Sequence, residues 1–380
     1  MELNGAKAPN GNRDVETNNG DLITDAMRLK VLQNKDGLTV NEDHVVAITN
    51  GGGIRAAIAK GDVTKKDINT VLPFGNTVAV VYVTGEQLLE ALEASTFSTP
   101  TAVGGFPQVS GINFTIHTGK AYDKNDATYP ESTYYGPKTI NRVVINSVNG
   151  KEFKANEVYA VVTNNFCAAG GDTYYAFKAA SAQFDTGIPL DEAVMEYVTK
   201  ELKGVIGEQY AAPQGRILLN PFKDVKVSSW FGKYVIDLYN DGIINGTSAT
   251  TYAPNDTLTW AAALKLLLVS HGDLKAADAT GADWSKNTIA KAAELGLVAA
   301  DLDGAKAISR LEFCQVAAKL NKLAESKTES KFTDCTDGYV MALVDAKVIN
   351  GMTETTFEPA ASLTRAQIAK IIYQLNLIEK

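Results

Sequence analysis

The chain has 380 residues, of which 45% are hydrophobic, and this length allows two or three independent cores. Its 44 acidic and 36 basic residues give a net charge of −8, which argues against nucleic acid or anionic lipid as a partner. Three cysteines lie far apart, so they offer neither a disulfide framework nor a metal knuckle. The longest apolar run, residues 260–269, is too short to span a membrane.

The first ten residues (MELNGAKAPN) lack the apolar stretch that a secretion signal requires. We therefore expect Met1 to be an internal or artificial start, and the sequence to be a portion of a longer protein.

The N-terminal part of the chain predicts a mixture of helices and strands. Residues 21–32 have one apolar stripe at helical spacing, and residues 44–48 form a run of β-branched residues typical of a buried strand. A second strand is predicted over residues 77–83. Thr84 and Gln87 form a capping box for a helix over residues 86–93.

A β-hairpin is predicted further along the chain. It pairs residues 142–146 with residues 157–163, because Asn149-Gly150 is a strong turn signal between the two runs. A last β-like run covers residues 215–219 and is followed by Asn220-Pro221.

Glycine-rich loops with aromatic residues lie at the ends of these strands. Asn50–Arg55 (NGGGIR) follows the first strand, Phe74 lies in a turn before the second, and Phe166 precedes a glycine pair and Asp172. Such loops are where α/β folds place their ligands, and three glycines would allow close approach and expose N–H groups.

Two phenylalanines beside glycines could clamp a flat ring, with stacking worth roughly 1–3 kcal/mol per base. Asp172 could accept hydrogen bonds from sugar hydroxyls, while Arg13 and Arg55 could neutralise a phosphate. The loops therefore fit a nucleotide.

Each assignment has an alternative. Phe74 and Phe166 could be core aromatics, the glycine clusters could be plain turns, Asp172 could cap a helix, and Arg13 could be only a surface charge.

Ordered motifs give this part a family resemblance, running from about Leu3 to Leu219. They are Arg13-x-x-Glu16, residues 20–27 (GDLITDAM), residues 50–55 (NGGGIR), residues 72–75 (LPFG), residues 106–111 (FPQVSG), residues 165–172 (NFCAAGGD) and residues 215–217 (GRI). They resemble the C-terminal, substrate-binding domain of the family of 5′-nucleotidases, UDP-sugar hydrolases and 2′,3′-cyclic phosphodiesterases.

The resemblance implies an α+β domain with a mixed sheet that holds a nucleotide such as AMP, with the base between two phenylalanines. The implied substrate-binding residues are Arg13, Asn50, Gly52, Gly53, Arg55, Phe74, Phe166, Gly171 and Asp172. In this scheme Asn50 lies near the base, Asp172 contacts the ribose, and the two arginines contact the phosphate.

In the same family a separate N-terminal metallophosphatase domain carries out hydrolysis with divalent metals such as Zn²⁺ or Mn²⁺. A two-metal site needs several Asp, His and Asn ligands, but this chain has only His44, His117 and His271, none in an Asp-x-His or Gly-Asn-His segment. We therefore predict no catalytic residue, no metal ligand and no cofactor here. Cys167 is interpreted as a packing residue, because no base lies near it in sequence.

After residue 219, strand patterns are replaced by helical patterns. We place the boundary at residues 219–222, with one domain over residues 1–219 and a second over residues 222–380. In the second, a helix–turn–loop–helix unit recurs over about 222–270, 273–325 and 330–380, the middle copy lacking the aromatic-x-Pro turn. Helix starts are predicted at Thr259, Ser309 and Thr364, and the copies should pack together.

These units resemble S-layer homology repeats, strongly in the outer copies and weakly in the middle one. The resemblance implies an all-α bundle with pseudo-threefold symmetry that binds anionic, often pyruvylated, secondary cell-wall polysaccharide. The implied binding residues are Arg310 and Arg365, while Trp260 replaces the arginine in the first copy. A guanidinium suits a carboxylate, although a solvated arginine at a helix start is the alternative.

We therefore expect the nucleotide-binding and wall-anchoring portion of a surface 5′-nucleotidase-type phosphohydrolase, extracellular and attached to the wall or S-layer of a Gram-positive bacterium. Whether the chain by itself is an enzyme stays open. The first alternative is a non-catalytic wall scaffold with a vestigial nucleotidase domain, and the second is a phosphatase that uses unrecognised residues.

Overall fold

The computed structural model describes residues 1–378. Contacts divide the chain into two compact units, and the second begins at Phe222. No described helix has both the length and the apolar character needed to cross a bilayer.

The first unit contains ten strands among the described residues. They are β1 Val45–Asn50, β2 Thr77–Thr84, β3 Pro107–Ser110, β4 Ile112–Ile116, β5 Lys124–Thr128, β6 Tyr135–Pro137, β7 Val143–Val148, β8 Val158–Asn164, β9 Ala182–Pro189 and β10 Ile217–Leu219. The central sheet has the order β3-β1-β8-β2-β9, a second sheet has the order β10-β4-β7, and β5 pairs with β6. The fold class is therefore α+β with mixed sheets, as predicted.

Six helices accompany these strands in the described part of the first unit. They are α1 Asn18–Leu32, α2 Lys65–Val71, α3 Gly85–Ser95, α4 Asn165–Ala168, α5 Tyr175–Lys178 and α6 Leu190–Glu196. Thr17 caps α1, and the predicted capping box of Thr84 and Gln87 starts α3.

The central sheet is buried on both faces. Val46 and Ile48 of β1 face the core that α3 covers, while Val45 and Ala47 face the core that α1 covers. Because successive side chains of a strand point to opposite faces, a sheet covered on both sides needs apolar residues at consecutive positions. The unbroken apolar run of β1 is thus explained by its central place in the sheet.

The predicted hairpin of residues 142–146 with residues 157–163 is wrong. The first run is β7, which pairs antiparallel with β4, and the second is β8, which lies between β1 and β2. Asn149 and Gly150 do make a tight turn with positive φ, but it pairs Val148 only with Lys151. The Asn149-Gly150 signal thus correctly predicts a local turn. The pairing partners of β7 and β8 are strands that lie far away in sequence, and the turn signal does not specify them.

Two buried carboxyl groups, Glu16 and Asp21, form a pair at the start of α1. Glu16 accepts backbone hydrogen bonds from Gln214 and Ile217 at 2.8 and 2.7 Å, and Arg216 lies 3.6 Å from Asp21. Burial raises the pKa of Asp21 above its usual range, and the neighbouring Glu16 carboxylate raises it further. The pair therefore retains a proton in the folded chain at neutral pH.

The second unit contains six helices among its described residues. They are α7 Gly232–Asn240, α8 Trp260–His271, α9 Trp284–Glu294, α10 Arg310–Leu320, α11 Gly338–Asp345 and α12 Arg365–Asn376. The predicted caps are confirmed, because the side chains of Thr259, Ser309 and Thr364 each accept a hydrogen bond from the backbone of the helix that follows.

Equivalent backbone hydrogen bonds join the three copies of the repeat. The first residue of each capped helix donates to a loop carbonyl of another copy: Trp260 to Lys306 at 2.8 Å, Arg310 to Ala361 at 2.8 Å, and Arg365 to Asp256 at 2.8 Å. The first copy thus contacts the second, the second contacts the third, and the third contacts the first. This closed ring satisfies N–H groups that the start of an isolated helix leaves without partners.

We predict that the stability of the first unit depends on pH through Asp21. An acid with a raised pKa in the folded state contributes stability below its unfolded value, near 3.8, and loses it as pH rises through the folded value. The Asp21→Asn variant should therefore gain on the wild type between about pH 5 and pH 8, by at most about 1.4 kcal/mol per pH unit.

The measurement is urea unfolding at each pH, with pulse hydrogen-exchange labelling of the β1 and β8 peptides to report the first unit alone. Asp36→Asn removes an exposed carboxylate and is the control. Parallel pH profiles for Asp21→Asn and the wild type would contradict the prediction.

Candidate functional site

The predicted ligand loops meet at one edge of the central sheet. β1 and β8 are parallel, so their carboxyl ends lie side by side. β2 is antiparallel to β8, and its Val78 lies opposite Asn164, so the start of β2 belongs to the same edge. The loops that carry Arg55, Phe74 and Phe166 are therefore brought together by strand pairing.

A line of amide and carboxylate groups runs along this edge. Asn164 Nδ2 donates to Asn50 Oδ1 at 3.0 Å and to Thr49 Oγ1 at 2.9 Å, and Asn50 Nδ2 donates to Asp172 Oδ2 at 2.8 Å. Asn50 and Asn164 are buried, so these bonds lie out of competition with water. The position of the Asp172 carboxylate is thus set from the inside of the domain.

Asn164 is a residue of the site that the sequence analysis did not single out. Its side-chain oxygen also accepts from Cys167 N at 2.9 Å and so caps α4, the short helix that carries Phe166. The sequence does contain a signal for this role, because Asn164 is a polar residue at the end of an apolar strand and lies next to Asn165 and Phe166.

Asp172 itself has a left-handed backbone, with φ of 52°. A non-glycine residue adopts this conformation rarely, although aspartate tolerates it better than most. The interpretation of Asp172 as a helix cap is wrong, because α5 begins after Tyr174 without a side-chain cap. The carboxylate turns instead toward Asn50.

Phe166 lies across the backbone of Gly171. A Cβ atom at Gly171 would lie 2.5 Å from the Phe166 ring, so a side chain there would displace the ring, and Gly171 N donates to Phe166 O at 2.9 Å. The ring is 44% exposed, so its other surface is open to solvent.

Phe74 is 59% exposed, with the Arg55 guanidinium 5.5 Å from its ring centroid. The interpretation of Phe74 and Phe166 as core aromatics is therefore wrong. Their loops are also linked, because Asn165 Oδ1 accepts from Thr77 N at 3.3 Å, just after the turn that carries Phe74. A shallow cavity at this place is lined by Thr49, Gly53, Leu72, Phe74, Asn76, Asn164 and Leu190.

The glycine triplet does not present all its N–H groups. Gly51 N donates to Phe106 O at 2.7 Å, and Gly52 N donates to Gly104 O at 2.7 Å. A Cβ atom at Gly51 would lie 1.7 Å from the Asn12 carbonyl oxygen. The expectation of exposed N–H groups is thus corrected at Gly51 and Gly52, where glycine lets neighbouring backbone segments approach.

The loop that Gly52 contacts also reaches Asp172 and Arg13. A Cβ atom at Gly104 would lie 3.6 Å from Asp172 Oδ2, and Val103 N donates to Arg13 O at 2.9 Å. Arg13 is half-buried rather than a free surface charge, and its Nε is buried without a hydrogen-bond partner. Such a donor is costly unless something binds it.

Cys167 and two of the histidines are held by burial or by protein partners. Cys167 is fully buried, and burial raises the pKa of its thiol to about 12, which disfavours a nucleophilic thiolate. Burial lowers the pKa of His117 to about 4. His44 lies between Asp43 and Glu157, at 2.8 and 2.6 Å.

The described residues contain no group of three or more His, Cys, Asp or Glu side chains placed to hold a metal ion.

In the second unit, Arg310 and Arg365 occupy equivalent positions. The Arg310 guanidinium lies 4.7 Å from the Phe357 ring centroid and donates to Asn350 O at 2.7 Å. The Arg365 guanidinium lies 4.5 Å from the Tyr252 ring centroid and donates to Asn245 O at 2.8 Å. The alternative of solvated arginines is wrong for Arg310, which is 7% exposed.

Comparisons with known proteins agree with the two resemblances. Residues 4–179 match the family model "5′-nucleotidase, C-terminal domain", and residues 221–263 and 334–369 match the S-layer homology domain. These S-layer matches fall on the first and third copies of the repeat.

Similar curated proteins include the trifunctional nucleotide phosphoesterase YfkN of Bacillus subtilis, 37% identical over 54% of this chain and 12% of its own length. The 5′-nucleotidase of Homo sapiens is 32% identical, over 53% of this chain and 33% of that protein. The cell wall protein Lmo0130 of Listeria monocytogenes is 33% identical, over 44% and 19%. This chain thus spans a third or less of these relatives.

The crystal structure of the 5′-nucleotidase precursor from Thermus thermophilus is 33% identical, with a TM-score of 0.44, and the match covers 58% of this chain and 38% of that one. Taken together with the ordered motifs and the mixed sheets, the matched family models identify the chain: it carries a 5′-nucleotidase C-terminal domain followed by S-layer homology domains.

Proposed function

We propose that the first unit binds a nucleotide such as AMP, with the base held between Phe74 and Phe166. The observation that carries this proposal is that both rings are exposed at one sheet edge while the polar groups beside them are buried and ordered. An exposed aromatic face costs free energy in water, and stacking on a base removes that cost.

The sugar is assigned to Asp172. Asn50 donates to one oxygen of this carboxylate, and no other side chain of the described residues donates to it. A carboxylate with spare acceptor capacity suits the hydroxyls of a ribose. Asn50 and the backbone at Gly52, Gly53 and Gly171 are assigned to the same ligand.

The phosphate is assigned to two arginines. Arg55 is exposed, and its guanidinium carbon lies 5.5 Å from the centroid of the Phe74 ring, which is proposed to stack on the base. Arg13 contributes the buried Nε that has no protein partner. Guanidinium groups bind phosphate oxygens through paired, charge-assisted hydrogen bonds.

Hydrolysis is assigned to a separate metallophosphatase domain that holds divalent ions such as Zn²⁺ or Mn²⁺. Two observations support this assignment: no group of three or more His, Cys, Asp or Glu side chains is placed to hold a metal among the described residues, and the curated relatives are several times longer than the part that this chain matches. In this scheme the chain binds and positions the nucleotide without turning it over.

The second unit is assigned to the cell wall, outside the cell. S-layer homology domains and the similarity to a cell wall protein support this location. We propose that secondary cell-wall polysaccharide is bound near Arg310 and Arg365. Both arginines are partly engaged by carbonyls of a neighbouring copy, so the ligand would share them with the protein.

We predict that Phe74→Ala and Phe166→Ala each weaken AMP binding, raising Kd by about five- to hundredfold, because each removes one stacking face. Isothermal titration calorimetry of the full chain measures this. Phe184→Ala removes an exposed ring in the middle of β9, opposite Val80, and should leave Kd unchanged. Unaltered heats for both site variants would contradict the aromatic clamp.

We predict that the chain releases no phosphate from AMP when Mn²⁺ or Zn²⁺ is added, because its described residues offer no metal site. A colorimetric phosphate assay measures this. Release of phosphate by the purified chain, in proportion to its concentration, would contradict the assignment.

We predict that Arg365→Ala lowers the fraction of protein that sediments with purified wall sacculi, and that Trp260→Arg raises it by restoring the arginine missing from the first copy. Lys286→Ala removes an exposed charge from α9 and is the matched control. If the three variants sediment like the wild type, the arginines do not bind the wall polymer. If the wild type sediments with the sacculi but binds no nucleotide, the result would favour the alternative of a non-catalytic wall scaffold.

A further inference from the structure

The junction between the first and second copies of the repeat differs from the other two junctions at one loop residue. The second residue of each capped helix donates a backbone hydrogen bond to this loop: Ala261 to Gly304 at 3.1 Å, Leu311 to Pro359 at 3.0 Å, and Ala366 to Pro254 at 3.0 Å. These equivalent bonds show that the second copy has glycine where the first and third copies have proline.

Gly304 allows α9 to approach this loop closely. A Cβ atom at Gly304 would lie 2.5 Å from Ile289 Cδ1, 3.1 Å from Ala261 Cβ and 3.2 Å from Ser285 Oγ. A side chain at residue 304 would therefore displace these groups. Since Ala261 belongs to α8 and Ser285 to α9, the first turns of the two helices meet at Gly304.

Lys265 lies one helical turn after Ala261, on the same face of α8. Its ammonium is 5.3 Å from the centroid of the Trp284 ring, at the start of α9. The lysine is half-buried, and among the described residues its ammonium has neither an ion pair nor a hydrogen bond. Burial lowers the pKa of Lys265, and no opposing charge compensates. An anion bound here would supply the missing partner.

Three different groups at this junction suit an acidic sugar. The Ser285 hydroxyl makes no hydrogen bond within the part of the chain that the structure describes, and it can donate to and accept from a sugar hydroxyl. The half-buried Trp284 indole offers an apolar surface to a sugar ring. The Lys265 ammonium can donate charge-assisted hydrogen bonds to a carboxylate.

Resting on the wall attachment proposed above, we infer that the junction between α8 and α9 is a further wall-polymer site. Lys265 binds the carboxylate of an acidic sugar there, while Trp284 and Ser285 contact the sugar ring and a hydroxyl. This site uses no arginine, so the first copy contributes to wall binding although Trp260 replaces its arginine. The positive charge is supplied five residues further along the same helix.

The test is sedimentation of the full chain at increasing concentrations of purified wall sacculi. Lys265→Gln should raise the sacculus concentration for half-maximal sedimentation by about three- to tenfold, the effect of one lost charge-assisted contact. Lys265→Arg keeps the charge and should sediment like the wild type, as should the control Lys286→Gln, which removes an exposed charge from α9. On sacculi whose carboxylates have been converted to neutral amides, Lys265→Gln and the wild type should sediment alike.

Equal losses for Lys265→Gln and Lys265→Arg would indicate a packing role and overturn the inference, as would unchanged sedimentation of Lys265→Gln. A deficit of Lys265→Gln that persists on amidated sacculi also overturns it, because the bound group is then not a carboxylate. If Arg365→Ala weakens sedimentation while Lys265→Gln does not, only this inference fails. If the wild type does not sediment with sacculi, the proposed wall attachment and this inference fail together.

Discussion

The candidate site depends on the hydrogen bonds that Asn164 and Asn50 make at the end of the central sheet. Asn164 of β8 donates hydrogen bonds to Thr49 and Asn50 of the parallel strand β1. Asn50 in turn donates a hydrogen bond to the Asp172 carboxylate. Because these amides are buried, breaking one bond would leave a polar group without water or partner. The network therefore holds the Asp172 carboxylate in place, and a ligand that bound there in the proposed way would not have to order this side chain.

The clustered glycines suggest close approach of a ligand to the backbone, but in the structure they allow parts of the protein to approach each other. At Gly51 and Gly52 glycine allows one loop backbone to pair with another, and at Gly171 it makes room for an aromatic ring. In each case the close approach is between parts of the protein itself. The groups that we propose to face a ligand are the side chains that surround these contacts, above all Phe74, Phe166 and Asp172.

In the second unit, the same kind of contact between an arginine and an aromatic ring occurs at two junctions between copies. In each of two copies an arginine lies over an aromatic ring of another copy and donates to a carbonyl there, while Trp260 takes this place in the first copy. Since each copy has too small a core to be stable alone, these contacts hold the ring of helices together. A wall ligand that bound the same arginines would therefore bind at the joints between copies.

The sequence by itself determined the local features: the capped helices, the buried strands, the repeats and the loops that carry Phe74, Phe166 and Asp172. These depend on neighbours within a few residues, so periodicity and capping patterns report them. The tertiary structure alone decided that β7 and β8 belong to different sheets and that Asn164 and Asn50 connect the end of the central sheet to Asp172. Strand pairing joins residues far apart in the chain, and a turn signal such as Asn149-Gly150 cannot specify which distant strand becomes the neighbour.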